Sequence, residues 1–239
     1  MNLENKTIIL TGAARIGKNV AEAISAQGAN LVINYFTTLP ELDIDKAKAL
    51  FVKADLTQEA DVNNLVSEAL NKFGRINGLV HMAANYERTP WAELNDETWN
   101  KSMRPIARSS FLISKAVGDV LLKNDAEVKG KIILFSDWSV LNQPYKDYLP
   151  YNVAKSAVIG LTKALAVELA PGVQVNCIAP GPILKPPGLN DEENNEVLSH
   201  TPLKRWGGEE EISKAVLYLL SADFVTGQVL YVDGGRSIA

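Results

Sequence analysis

Seven short runs rich in Ile, Val and Leu recur along the chain: KTIILT, NLVINY, FVKAD, NGLVHMA, KIILFS, VQVNCIAP and QVLYVD. Longer stretches of helical patterning separate them, among them IGKNVAEAISAQG, ELDIDKAKAL, EADVNNLVSEALNKFG, DETWNKSMRPIARSSFLISKAVGDVLLK, YNVAKSAVIGLTKALAVELA and EEEISKAVLYLLS. A strand that is apolar at nearly every position must be covered on both faces, and regular strand-helix alternation joins neighbouring strands in parallel. The pattern predicts an α/β fold with a doubly wound parallel sheet of about seven strands between two helical layers. In such a sheet, ligands bind beyond the carboxyl ends of the strands.

The 239 residues show no linker, repeat or low-complexity segment, so a single domain spanning 1–239 is expected. The stretch richest in Pro and Gly, APGPILKPPGLND, lies inside that domain; with the residues after it, about 184–207, it is expected to form a lid over the substrate. A net charge of -4 gives no basic field for phosphate backbones or acidic lipid, which argues against nucleic-acid and membrane partners and for a small-molecule substrate. The single cysteine, Cys177, sits in an apolar run and reads as a buried, inert thiol; no disulfide or metal site is expected. MNLENKTIILTGA holds neither a basic leader nor a signal-length apolar stretch, and no window of about 18 uncharged apolar residues follows. A soluble, cytoplasmic protein is the expectation.

KTIILTGAARIGKNVA runs from strand through a glycine turn into a helix start. Gly12 allows the sharp turn, Gly17 allows close packing, and the helix N-terminus offers free N–H groups to a pyrophosphate. No acid stands at the end of the second strand to hold a ribose hydroxyl; Asn34, Tyr35, Phe36, Thr37 and Thr38 stand there instead. With Arg15 in the turn able to face a phosphate, this chemistry favours NADP(H) over NAD(H), although a solvated loop arginine has the same sequence signature. Asp55, after the third strand, is a candidate for the adenine amino group or an ordinary helix-start acid. Further on, Tyr151 and Lys155 share a helical face at i, i+4. An ammonium about 4 Å from a phenol, at an effective dielectric near 20, is worth roughly 4 kcal/mol, enough to lower the tyrosine pKa by about two or three units from its usual value. Tyr151 is then expected to serve as an acid and base beside a hydride carrier.

Taken together, TGAARIG, ADLT, the AA after the fourth strand, YNVAK, NCIAPGPI and FVTGQVLYVDGG resemble the short-chain dehydrogenase/reductase family along the whole chain. The resemblance implies a Rossmann-type fold, nicotinamide cofactor dependence and hydride transfer. It assigns Tyr151 as the acid and gives Lys155 a second role at the nicotinamide ribose. Gly12, Arg15, Ile16 and Gly17 fall in the cofactor turn; Asn34, Thr37, Asp55, Leu56 and Ala83 follow the next three strands; Pro180, Gly181 and Ile183 match the nicotinamide-side loop. Most members carry a serine after the fifth strand, where this chain has Asp137 between Ser136 and Ser139. An acid there is similar to the pteridine reductase branch, in which an aspartate helps deliver a proton to a ring nitrogen. Arg15, Tyr86 and Trp138 then join Asp137 and Tyr151 as substrate contacts, with Tyr86 stacking the pterin.

Two other functions stay open on the same residues: a carbonyl reductase, such as a 3-oxoacyl thioester reductase using Ser136 or Ser139, and a cofactor-binding protein with little catalysis. In the former, Asp137 is a loop cap and Tyr86 and Trp138 are plain aromatics. The latter is suggested by departures from the family pattern. The glycine turn is one residue short, His81-Met82-Ala83-Ala84 replaces the usual Asn-Asn-Ala-Gly, and Ile106 stands at a family asparagine next to Pro105. The helix that starts near Tyr151 is apolar on more than one face, which with the resemblance implies a homo-oligomer, expected to be a tetramer.

Overall fold

The computed structural model describes residues 1–239 and contains seven parallel strands. These are β1 (Thr7–Thr11), β2 (Asn30–Tyr35), β3 (Ala49–Lys53), β4 (Gly78–His81), β5 (Gly130–Phe135), β6 (Val173–Pro180) and β7 (Val229–Val232). Their order in the sheet is β3-β2-β1-β4-β5-β6-β7, so the direction of winding reverses between β1 and β4. Thr11 faces Asn34 on one side and His81 on the other, which puts the carboxyl ends of β1, β2 and β4 level at that switch point. A crevice must open there because the connections leave toward opposite faces.

The helices are α1 (Ile16–Ala26), α2 (Glu59–Phe73), α3 (Asp96–Ser102), α4 (Ser109–Leu121), α5 (Leu149–Glu168), α6 (Asp191–Ser199) and α7 (Glu209–Ser221). Side chains of β1 divide between two cores: Ile9 packs with residues of α2, α4 and α5, while Ile8 and Leu10 pack with residues of α1 and α7. Both faces of the sheet are therefore dry, as the apolar strands require. Each fully buried Ile or Leu contributes about 1.5–3 kcal/mol of transfer free energy, so the central strands anchor the domain.

Two expected helices differ. ELDIDKAKAL forms only a 3-10 turn at Lys46–Lys48, capped by Asp45, and its last residues enter β3. Ala49 and Leu50 gain strand partners in Leu31 and Val32, and pairing within the sheet outweighs the helical preference of a short, weakly amphipathic segment. The long helix expected from Asp96 is divided into α3 and α4 by a π-helical segment, Met103–Arg108. Pro105 has no N–H to give the carbonyl of Lys101, and that carbonyl accepts from Asn85 Nδ2 at 2.8 Å instead. Ile106, inside the π segment, is fully buried against the α2, α4 and α5 core.

Candidate active site

One cleft of about 910 Å³ lies over the carboxyl ends of β1, β4, β5 and β6. Its floor at one end is the β1–α1 turn. Gly12 has φ +75°, and a Cβ there would sit 2.7 Å from the amide nitrogen of Ala83, so the turn can pass under the β4 loop only as glycine. A Cβ on Gly17 would lie 2.0 Å from the carbonyl oxygen of Gly12, which explains the second glycine. Arg15 precedes α1 with φ 51°, and no side chain caps the helix; the Gly17 and Lys18 amides donate to the Ala14 and Arg15 carbonyls at 2.9 and 3.0 Å, so the turn is closed by backbone alone. Gly12, Arg15, Ile16, Gly17, Lys155, Pro180, Gly181 and Ile183 all line this cleft.

Other residues expected to serve a cofactor stand outside its wall. Asn34 is buried, and its amide donates to the carbonyls of Ala54 at 3.0 Å and Tyr35 at 3.3 Å. Asp55 Oδ1 accepts from the backbone and hydroxyl of Thr57, at 2.9 and 2.8 Å. Leu56 is in the core, Thr37 is exposed, and the Ala83 amide donates to Thr11 Oγ1 at 3.2 Å. His81 is buried between Thr11 Oγ1 at 2.8 Å and Ser109 Oγ at 3.3 Å. Burial first, then the nearby Lys155 charge, pushes its pKa down to about 3, so the imidazole is a neutral tie between β1, β4 and α4.

At the other end α5 presents Tyr151 and Lys155, with Pro150 preorganising its first turn. Asp137, just past β5, faces them with one oxygen in each of two tasks. Its Oδ1 accepts from the Ser139 amide and hydroxyl, at 2.9 and 2.7 Å, which is the loop-cap arrangement. Its Oδ2 accepts from the Tyr151 hydroxyl at 2.7 Å. Lys155 Nζ donates to the Phe135 carbonyl at 2.8 Å and lies 6.0 Å from the centroid of the Tyr151 ring.

This geometry reverses the expected electrostatics of the phenol. Burial, then the Asp137 charge and the hydrogen bond to it, hold the Tyr151 pKa far above the usual tyrosine range, and the ammonium does not offset them. The carboxylate is the nearer charge, and the lysine is turned to a backbone carbonyl. Burial brings Lys155 itself down to about 8, against the upward pull of Asp137 and Cys177. Cys177 is buried with its pKa pushed up to about 11 by desolvation, an inert thiol as expected.

Aromatic rings wall this end. Tyr86 is stacked on Tyr148 at 4.5 Å between centroids and meets the Tyr151 ring edge-on at 4.9 Å. Trp138 is buried and donates from Nε1 to the Tyr145 hydroxyl at 2.9 Å. Burial, then Asp137, raises the Tyr145 pKa to about 12. The segment from 184 to 207 closes the side, contributing Leu184, Pro186, Val197 and Trp206 to the cleft lining. Tyr145, Asn85, Val197, Trp206 and Arg236 were not singled out from sequence. For Tyr145 a signal existed in the tyrosines of YKDYLPY, spaced three apart; Arg236, beyond the last strand, had none.

The profile described as Enoyl-(Acyl carrier protein) reductase matches residues 12–237. The chain is 33% identical over 250 residues to the (2S)-((R)-hydroxy(phenyl)methyl)succinyl-CoA dehydrogenase subunit BbsD of Thauera aromatica, covering 100% of this chain and 99% of that one. It is likewise 33% identical over 247 residues to a 3-oxoacyl-(acyl-carrier-protein) reductase of Synechocystis, covering 98% and 97%. Among solved structures, Thermoplasma acidophilum aldohexose dehydrogenase superposes with a TM-score of 0.89 at 26% identity, over 99% of this chain and 96% of that one. This protein belongs to the short-chain dehydrogenase/reductase family and is an oxidoreductase. Members use nicotinamide cofactors and act on small molecules. No helix is long and apolar enough to cross a membrane.

Proposed function

We propose that this chain is an NADPH-dependent reductase of a flat nitrogen heterocycle of the dihydropterin class, with Tyr151 and Asp137 delivering the proton to the ring nitrogen. The observation that carries the reading is the 2.7 Å bond from the Tyr151 hydroxyl to Asp137. Reduction of C=N needs a hydride at carbon and a proton at nitrogen, and a phenol paired with a carboxyl group is a proton store of suitable reach. The tight turn of Gly12 and Gly17, which backbone contact keeps free of side chains, and the start of α1, which no side chain caps, suit a dinucleotide pyrophosphate. A bound nicotinamide cofactor supplies the hydride. Arg15 is the cation suited to a ribose phosphate; Thr37 and the free Oδ2 of Asp55 are the groups available to the adenosine half beyond the cleft wall.

In this reading a substrate nitrogen takes the place of Asp137 as acceptor of the Tyr151 hydrogen bond. The proton crosses to nitrogen, and Lys155 turns from the Phe135 carbonyl to stabilise the phenolate left behind. Tyr86 and Trp138 offer flat apolar surface to the ring. The segment 184–207 acts as the lid.

Relatedness to the Synechocystis reductase favours a second reading, reduction of a 3-oxoacyl thioester. Both flanking serines are already engaged, however: Ser136 Oγ donates to the Lys155 carbonyl at 2.8 Å, and Ser139 Oγ donates to Asp137. A carbonyl oxygen would then lack the serine donor that usually accompanies the tyrosine. NADPH oxidation with dihydrobiopterin, dihydrofolate, dihydromonapterin and acetoacetyl thioesters separates the two. Turnover of a pterin that falls at least ten-fold in Asp137→Ala supports the first; thioester turnover unaffected by that change supports the second. Cofactor binding by calorimetry with no turnover on either panel marks a binding protein. Arg15→Ala is expected to lower the NADPH-over-NADH preference about ten-fold. The exposed Leu149, Val153 and Val167 of α5 support a homotetramer, which light scattering tests.

A further inference from the structure

Arg236 reaches the cleft from beyond the last strand. It follows Gly235, whose φ of +85° turns the chain into the 3-10 segment Arg236–Ile238. Its guanidinium lies 5.2 Å from the Trp138 ring centroid, and one nitrogen donates to the Val197 carbonyl of α6 at 3.0 Å. That contact is its only side-chain hydrogen bond, and no carboxylate pairs with it. The nearest acid on the same chain segment, Asp233, is turned inward and accepts from the backbone amides of Gly235 and Ser237 at 3.0 and 2.7 Å. Asp137, one residue before Trp138, already accepts from Ser139 and Tyr151. A planar cation with most of its donors unused thus lines a cleft and is held in place by an aromatic face and the lid.

The aromatic wall connects it to the chemistry. From Tyr151 the rings run to Tyr86 at 4.9 Å, on to Tyr145 at 6.0 Å, then to Trp138 at 6.2 Å, and Arg236 lies over Trp138. The Asp137 carboxylate is bonded to Tyr151, whereas the Arg236 guanidinium packs on Trp138, so the two opposite charges are tied to different rings of the wall. A ligand lying along this wall is polarised by the site itself. We propose that Arg236 recognises a carboxylate on the substrate, at the end remote from the reacting bond, and so selects anionic over neutral substrates. This deepens the proposed function, since it rests on a flat substrate lying against Tyr86 and Trp138.

Two ligand pairs test it, followed by quenching of tryptophan fluorescence in the full chain with NADP⁺ present. One pair is a pterin carboxylate and its neutral hydroxymethyl analogue; the other is naphthoate and naphthamide. A charge-assisted, two-pronged contact should make each carboxylate bind roughly 10- to 100-fold tighter than its neutral partner. Arg236→Gln should abolish the difference by weakening only the acid, and Arg236→Lys should restore part of it. Preference in the naphthalene pair with no pterin binding supports Arg236 while removing the pterin reading. Pterin binding with no preference for charge in either pair overturns the Arg236 proposal and leaves the pterin reading intact. Equal weakening of acid and neutral ligand in Arg236→Gln, or no binding by any of the four, also overturns it, the former making Arg236 a latch for the lid.

Discussion

The proposed cofactor end of the cleft is made of backbone and the proposed substrate end is made of side chains. At the first, Gly12 and Gly17 are defined by what cannot be there: a Cβ at either would collide with backbone. At the second, Asp137, Tyr151, Trp138 and Tyr145 are defined by what they bond to, and each sits on or next to the loop between β5 and α5. The contrast teaches that the ends should fail differently. A change in the glycine turn alters whether a ligand fits, whereas a change beyond β5 alters what happens to a ligand already bound.

The sharpest break is Tyr151→Phe. Removing the donor should lower kcat by about 10²- to 10⁴-fold while NADPH affinity, measured by calorimetry, changes less than about three-fold. Residual activity above a tenth of the native rate would mean that Asp137 or water is the true donor. His81 joins the two ends, bridging Thr11 of β1 and Ser109 of α4. Its folded pKa lies near 3, below the unfolded value of 6.5, so the unfolded chain binds the extra proton as pH falls between those values. Its stabilising effect is therefore complete above pH 6.5 and is lost toward pH 3, by an amount on the order of a few kcal/mol. Urea midpoints across that range should drop in the native chain and drop less in His81→Asn.

Gly12→Ala, at φ +75° and against the Ala83 amide, should cost about 1–3 kcal/mol and weaken NADPH binding. The rate per bound complex should stay near native; an equal loss in kcat would erase the distinction between the ends. The smallest effect sharpens the substrate end. Burial brings Lys155 down to about 8, and Asp137, then Cys177, oppose a further fall. The rate should decline as pH rises through about 8 and the ammonium is lost. In Asp137→Asn, that alkaline limb should move to lower pH; a shift upward would mean the carboxylate does not act on Lys155.

The five inner strands could be read from sequence because a strand buried on both faces has no choice but to be apolar throughout; the edge strands β3 and β7 are only partly buried and were legible from their place in the strand-helix alternation. The helix expected over ELDIDKAKAL failed because strand pairing of Ala49 and Leu50, which is non-local, was worth more. Pro105 was visible as a missing donor, but a π segment and the transfer of the Lys101 carbonyl to Asn85 depend on what surrounds it. Tyr151, Lys155 and Asp137 could each be named from sequence. The expected lowering of the Tyr151 pKa is reversed by burial and Asp137, because i, i+4 spacing brings an ammonium to the same face but does not say which way it points.

The sequence by itself determined the architecture and the glycine turn, since these follow from periodicity and backbone sterics; the candidate residues at the reacting end came from the family resemblance. Only the tertiary structure decided that the phenol answers to Asp137 before Lys155, that Ser136 and Ser139 are engaged, and that Arg236 returns to the cleft. Those relations join residues far apart in the chain, and the strength of a charge or hydrogen bond depends on distance and burial that no spacing along the sequence encodes.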